Sequence, residues 1–141
     1  MGHYIITPEM PSDADRDAIL AVLTAYNSAH APSIRREPLA LLVKDTEGTT
    51  VGGLWGRSAY DWMFVEYLAV PEALRGQAVG TDLMRRAERI ARDRGCVGIW
   101  LDTFAFQARG FYEKLGFTVF GTIPDFPVGS ARHFLAKRFT D

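Results

Sequence analysis

Apolar positions change their spacing several times along the chain, and each change marks an element. Tyr4–Thr7 is short, partly β-branched and stops at Pro8, which predicts a first strand. Ser12, with Asp15 three residues on, makes a capping-box-like start. Ile19, Val22, Leu23 and Tyr26 then recur at i, i+3, i+4 and i+7, so a helix is expected from Ser12 to His30, ended before Pro32. Leu39–Lys44 and Val51–Arg57 flank the turn-rich Asp45-Thr46-Glu47-Gly48 and read as a β-hairpin. Trp62–Val70 is aromatic and β-branched. Its period of two places Trp62, Phe64, Glu66, Leu68 and Val70 on one face, and Pro71 closes the strand.

Helical spacing returns with Val79, Leu83, Ala87, Ile90 and Ala91, and Gly95 is the natural stop. Val97–Phe104 reads as a strand. Ala108, Phe111, Tyr112 and Leu115 give a short helix ending at Gly116. Phe117–Ile123 and Ala131–Phe139 are the final strands, around a loop with Pro124, Pro127 and Gly129. The order β-α-β-β-β-α-β-α-β-β predicts a mixed α/β sheet rather than a regular doubly wound one. No repeat, low-complexity tract or linker interrupts it, so residues 1–141 are expected to form one domain.

Composition narrows the function classes. With 16 Lys+Arg and 17 Asp+Glu the formal charge is 16 − 17 = −1, which argues against a protein that lives on nucleic acid. The 48% hydrophobic content excludes a disordered chain. Cys96 is the single cysteine, so no internal disulfide is possible, and a reducing compartment with a buried, inert thiol is expected. His3, His30 and His133 are scattered, which predicts no metal site. The apolar runs fall far short of the ~20 residues a bilayer needs, and no basic-then-apolar leader is visible. A cytoplasmic protein with no membrane partner is expected.

The segment Leu68–Thr81 carries the chemistry. A strand runs into a glycine-containing turn that opens onto an amphipathic helix. Gly76 and Gly80 allow close backbone approach, and the helix start leaves N–H groups without carbonyl partners. Those donors and the helix dipole suit a phosphate. An ordinary strand-to-helix connection is the competing reading. Neither Gly-Lys-Ser/Thr nor GxGxxG is present, so the Walker and Rossmann phosphate loops are excluded.

Arg75-Gly76-Gln77-Ala78-Val79-Gly80 resembles the signature Arg/Gln-x-x-Gly-x-Gly/Ala of the GNAT-type N-acetyltransferases, which bind acetyl-CoA. Phe111-Tyr112-Glu113-Lys114-Leu115-Gly116-Phe117 resembles that family's second signature. Leu68-Ala69-Val70 resembles the strand that feeds the phosphate turn, and His133–Phe139 its closing strand. The resemblance covers Leu39 to Phe139. It implies a mostly antiparallel sheet of about six to seven strands with three to four helices, splayed into a V between the fourth and fifth strands. The implied activity is transfer of an acetyl group from acetyl-CoA to a primary amine of a small molecule, by direct attack in a ternary complex. Ala78 stands where the first signature glycine is usual, which is tolerable only if the backbone there needs no positive φ.

The resemblance also implies roles. Tyr112 is the expected general acid to the coenzyme A sulfur, since a phenol is protonated at neutral pH. Otherwise it is a core aromatic at helical spacing. Glu66, a carboxylate among Met63, Phe64, Val65 and Tyr67, is the expected base. An ion pair with an arginine is the alternative. Leu68, Ala69 and Val70 would pair with the pantetheine arm through backbone groups. Arg75, Gly76, Gln77, Ala78, Val79, Gly80 and Thr81 would cradle the pyrophosphate. Ala105 replaces a frequent asparagine, and Gln107 is the nearby polar substitute. Arg85, Arg86, Arg89 and Arg92 are interleaved with Asp82, Glu88 and Asp93 and read as a solvated helix face.

The acceptor entrance implied by the resemblance draws on Tyr26, Asn27, His30, Arg35, Arg36, Glu37, Asp125 and Phe126, which also read as solvated charges and loop residues. Their mixed charge does not choose among acceptors. A non-catalytic acyl-CoA-binding module, or an enzyme acting on a protein or peptide amine, stands as the alternative. A homodimer through Trp55 and Trp62 is compatible with each.

Overall fold

A computed structural model of the chain describes residues 2–107 and 109–140, in two compact units, Met1–Ser33 and Ile34–Asp141. Ala108, expected at the start of a short helix, lies outside the described residues. The first unit holds α1 (Asp13–His30). Its capping box is closed in both directions: Asp15 N donates to Ser12 Oγ at 3.1 Å and Ser12 N to Asp15 Oδ2 at 2.9 Å. Tyr4–Thr7, expected as a strand, is not one. Its unit contains no other strand among the described residues, so its backbone has no ladder to join, and Tyr4 and Ile5 are 87% and 91% exposed. Among the described residues no helix is long and apolar enough to cross a membrane.

The second unit contains β1 (Glu37–Lys44), β2 (Thr50–Ala59), β3 (Trp62–Ala69), a short 3-10 turn at Glu72–Leu74, α2 (Val79–Asp93), β4 (Gly98–Phe104), α3 (Arg109–Lys114), β5 (Thr118–Pro124) and β6 (Ala131–Arg138). The six strands form one sheet in the order β1-β2-β3-β4-β6-β5. Among the described residues only β3 and β4 pair in parallel. The turn chemistry of the first hairpin is visible: Asp45 Oδ1 accepts from the N–H groups of Glu47 and Thr49, each at 2.9 Å.

The amphipathic α2 lays Leu83, Met84, Ala87 and Ala91 on the sheet. They meet Met63, Val65, Ile99, Leu101 and Leu135 in one core. Ala87 and Ala91 are wholly buried, and their small size brings the helix close to the strands. Polar ties fix its far end. Arg94 Nη1 donates to Glu37 O and Ser58 Oγ, both at 3.0 Å, and Nη2 to Pro38 O at 3.0 Å. Lys137 Nζ joins Glu88 of α2 to the Leu115 carbonyl beyond α3, again at 3.0 Å each.

Two irregularities shape the middle of the sheet. The β2–β3 register passes from Gly56↔Val65 to Trp55↔Tyr67, leaving Glu66 as an extra residue. The bulge resets the alternation of β3. Met63 and Val65 face the core before it, and Leu68 packs on the core after it. Glu66 therefore does not share a face with Leu68 and Val70, which corrects the simple period-two reading. It lies instead on the side of Arg57. Gly56, opposite the bulge, sits so close to the Phe64 carbonyl that a Cβ would collide with it. The second irregularity is the brevity of the parallel ladder, which runs only from Trp62↔Gly98 to Val65↔Leu101. Beyond those pairs β3 and β4 part. This is the expected V, now between the third and fourth strands because Tyr4–Thr7 adds none.

Leu135 on β6 is 0% exposed at the centre of this core. Leu135→Ala should cost about 2–5 kcal/mol of unfolding free energy, read as a lower denaturant midpoint at unchanged slope.

Candidate functional site

A cleft of about 1430 Å³ opens where β3 and β4 part. Its walls are Glu66–Val70 from one arm and Leu101–Phe104 from the other. At one end lies the turn into α2, with Arg75, Gly76, Ala78, Val79, Gly80 and Thr81. Phe64, Val65, Leu74 and Arg132 also line the cleft. Gln107, Phe111 and Tyr112 complete the lining. Every expected cofactor-binding residue is present except Gln77, whose amide folds back to the Ala73 carbonyl at 3.5 Å.

The turn has the geometry of an anion cradle. Ala78 is the N-cap of α2 and offers no side-chain acceptor. The helix ladder begins with Asp82 N donating to Ala78 O at 3.0 Å. Among the described residues nothing accepts from the N–H groups of Val79, Gly80 and Thr81. Three unfilled donors at the positive end of a fifteen-residue helix suit a phosphate. Gly80 permits a tight approach: a Cβ there would stand 3.2 Å from the Phe111 ring. Ala78 adopts φ 59°, ψ 22°, the left-handed region. The condition attached to this alanine is therefore not met, because the backbone does need a positive φ. An L-residue carries a penalty of roughly 1–2 kcal/mol there.

Tyr112 projects from α3 into the cleft, its ring edge-on to Phe111 at 5.1 Å and to Phe117 at 6.1 Å. Burial pushes its phenol above the ordinary value of 10.0, and the Asp102 carboxylate adds to the shift. The hydroxyl therefore stays protonated at working pH. Gln107 does local work as well: its Oε1 accepts from Thr103 Oγ1 at 3.1 Å and from Phe104 N at 2.8 Å, capping β4 where its partner has left. Among the described residues its amide N–H groups have no acceptor, and the residue lines the cleft. Glu66 is not isolated among apolar side chains. Arg57 Nη1 donates to its Oε2 at 3.0 Å.

Residues 7–117 match the family model described as Acetyltransferase (GNAT) family. The chain belongs to that family. An acetyltransferase of Agrobacterium fabrum is 34% identical over 137 residues, covering 97% of this chain and 99% of the relative. A blasticidin-S acetyltransferase of Streptomyces morookaense is 41% identical over 91 residues, 64% of this chain and 67% of that one. The crystal structure of an acetyltransferase from Bacillus cereus superposes with a TM-score of 0.85 at 31% identity, over 95% of this chain and 98% of that one.

Within the second unit of this acetyltransferase, several of the charged residues singled out in the sequence are engaged away from the cleft. Arg35 and Glu37 belong to the cluster around Arg94: Arg35 Nη2 donates to the Arg94 carbonyl at 3.1 Å, and Glu37 lies 3.4 Å from Arg94 Nε. Their charges are used in tying β1 to the end of α2. Arg86 and Arg92 pair with Asp82 and Glu88 one helical turn away, as a solvated face does. Tyr26, Asn27 and His30 lie on α1 in the other unit. Asp125 and Phe126 lie in the β5–β6 loop, where Phe126 packs against Phe104 at 5.5 Å. Two residues went unnoticed in the sequence, Asp102 and its partner Arg132. The signal was available: Asp102 alternates with Trp100 and Phe104 as Glu66 does with Phe64.

Ala78→Gly should relieve the left-handed strain. It should raise stability by about 0.5–1 kcal/mol after the entropy of the added glycine is discounted, measured as a higher denaturant midpoint. Tyr112 and the buried Cys96 both have folded pKa values raised above the ordinary 10.0 and 9.0. Their contribution to stability is thus complete below pH 9 and lost as pH rises through the folded values. Melting temperature should be flat to pH 8.5 and fall above pH 9, less steeply in Tyr112→Phe.

Proposed function

We propose that this acetyltransferase moves an acetyl group from acetyl-CoA to a primary amine of a small molecule, by direct attack in a ternary complex. The observation that carries the reading is a cleft joining an anion cradle at α2 to carboxylate-bearing walls between the parted strands. The relative from Streptomyces morookaense, a blasticidin-S acetyltransferase, supports a small-molecule acceptor.

In this reading the backbone N–H groups of Val79, Gly80 and Thr81 hold the pyrophosphate, with Arg75 beside them. The unpaired edge of Leu68, Ala69 and Val70 binds the pantetheine arm as an added strand would, and the amide of Gln107 serves its carbonyls. The donor supplies an activated thioester carbonyl. Tyr112 holds a proton on its Oη, in position to satisfy the charge that develops on the departing sulfur. Glu66, committed to Arg57 at 3.0 Å, orients the wall of the cleft, and the amine loses its proton to water.

Thiol release from acetyl-CoA, screened over amines, amino acids and peptides, tests the proposal directly. Turnover with a small amine is expected, and acetyl-CoA binding without turnover on any of them would contradict it. Tyr112→Phe should lower kcat by about 100-fold or more, the range for a lost general acid, with acetyl-CoA affinity nearly unchanged. Because the Tyr112 phenol lies above its ordinary value, kcat/KM should rise with pH through the acceptor's own ionisation. It should show no fall below pH 10.

A further inference from the structure

We propose that Asp102 is the carboxylate that receives the acceptor, and that the acceptor is therefore a cationic amine docked through its ammonium group. This rests on the acetyl-transfer reading above and names the chemistry of its second substrate. Asp102 is the first residue of β4 past the last pair with β3, Val65↔Leu101, so it stands where the V begins. It lines the cleft, and its side chain is 15% exposed.

Its two oxygens are not equivalent. Arg132 Nε donates to Oδ1 at 2.9 Å, and Arg132 Nη2 lies 2.8 Å from the same atom. Among the described residues no hydrogen bond to Oδ2 is found, and no buried side-chain oxygen is left without a partner, so Oδ2 keeps solvent-accessible surface on a residue that lines the cleft. Arg132 is itself held, with Phe104, Phe126 and Phe134 at 5.0–5.4 Å from its guanidinium. A clamped arginine thus fixes one oxygen and presents the other, the arrangement that a directional N–H donor requires. Asp102 and Tyr112 line the same cleft, so the docking group and the proton donor share one cavity. The rival, Glu66, is more exposed at 30% and is tied to Arg57.

The test uses the intact protein with acetyl-CoA and the best acceptor among spermidine, tyramine, lysine and an aminoglycoside. Asp102→Asn keeps an oxygen for Arg132 and removes the charge. KM for the amine should rise about 10- to 100-fold, the range for a lost charge-assisted hydrogen bond. Acetyl-CoA affinity should stay within about twofold, which also verifies folding, and Glu66→Gln should raise KM less. Independently of any variant, benzylguanidinium, a cation that keeps N–H donors but is a poor nucleophile, should compete with the amine on the unmodified enzyme while uncharged benzyl alcohol does not. An unchanged KM in Asp102→Asn, a larger rise in Glu66→Gln, or equal inhibition by the two benzyl probes overturns the assignment and leaves the acetyl-transfer reading standing. Absence of turnover by the unmodified enzyme on every amine overturns both.

Discussion

The parallel ladder between β3 and β4 stops after Val65↔Leu101, and the rest of the site follows from that stop. Backbone polar groups leaving a ladder must find other partners or water. Gln107 satisfies Phe104 on one arm, whereas Glu66–Ala69 on the other arm faces an open cleft. The same parting sets the first unpaired residue of each strand, Glu66 and Asp102, as a carboxylate, and each is matched by an arginine from the neighbouring strand. The bulge at Glu66 lies at this point, and Gly56 accommodates it where a Cβ could not fit.

On the helix side the cleft depends on how closely α2 is held. Ala87 and Ala91 let the helix settle on Met63 and Ile99, and Arg94 and Lys137 secure it through polar ties. Its N-terminus then falls beside Val70 and Phe111, with Gly80 at the contact. Ala78 departs from this economy. It occupies a left-handed position that glycine would take without strain, in the turn whose helix-start N–H groups have no acceptor among the described residues.

Much of this was legible along the chain because it is local. Helical spacing with Ser12 and Gly95 as punctuation locates α1 and α2, and the Asp45–Gly48 turn locates the first hairpin. Leu68–Val70 and Arg75–Thr81, apart from Gln77, line one cleft. What was not legible is what depends on partners distant in sequence. Tyr4–Thr7 has the composition of a strand but no ladder within its unit. The alternation from Trp62 to Val70 assumed an unbroken register, and the Gly56–Glu66 bulge breaks it. The φ of Ala78 and the Arg57–Glu66 and Asp102–Arg132 pairs likewise arise only once the chain has folded.

The parted strand and the α2 turn are proposed to bind acetyl-CoA together, through backbone N–H groups. Residue-resolved amide hydrogen exchange with and without acetyl-CoA measures those groups themselves. Slower exchange is expected at Leu68–Val70 and at Val79–Thr81, with little change around Arg94. Unchanged exchange at both segments, or protection centred elsewhere while acetyl-CoA is bound, would contradict the account.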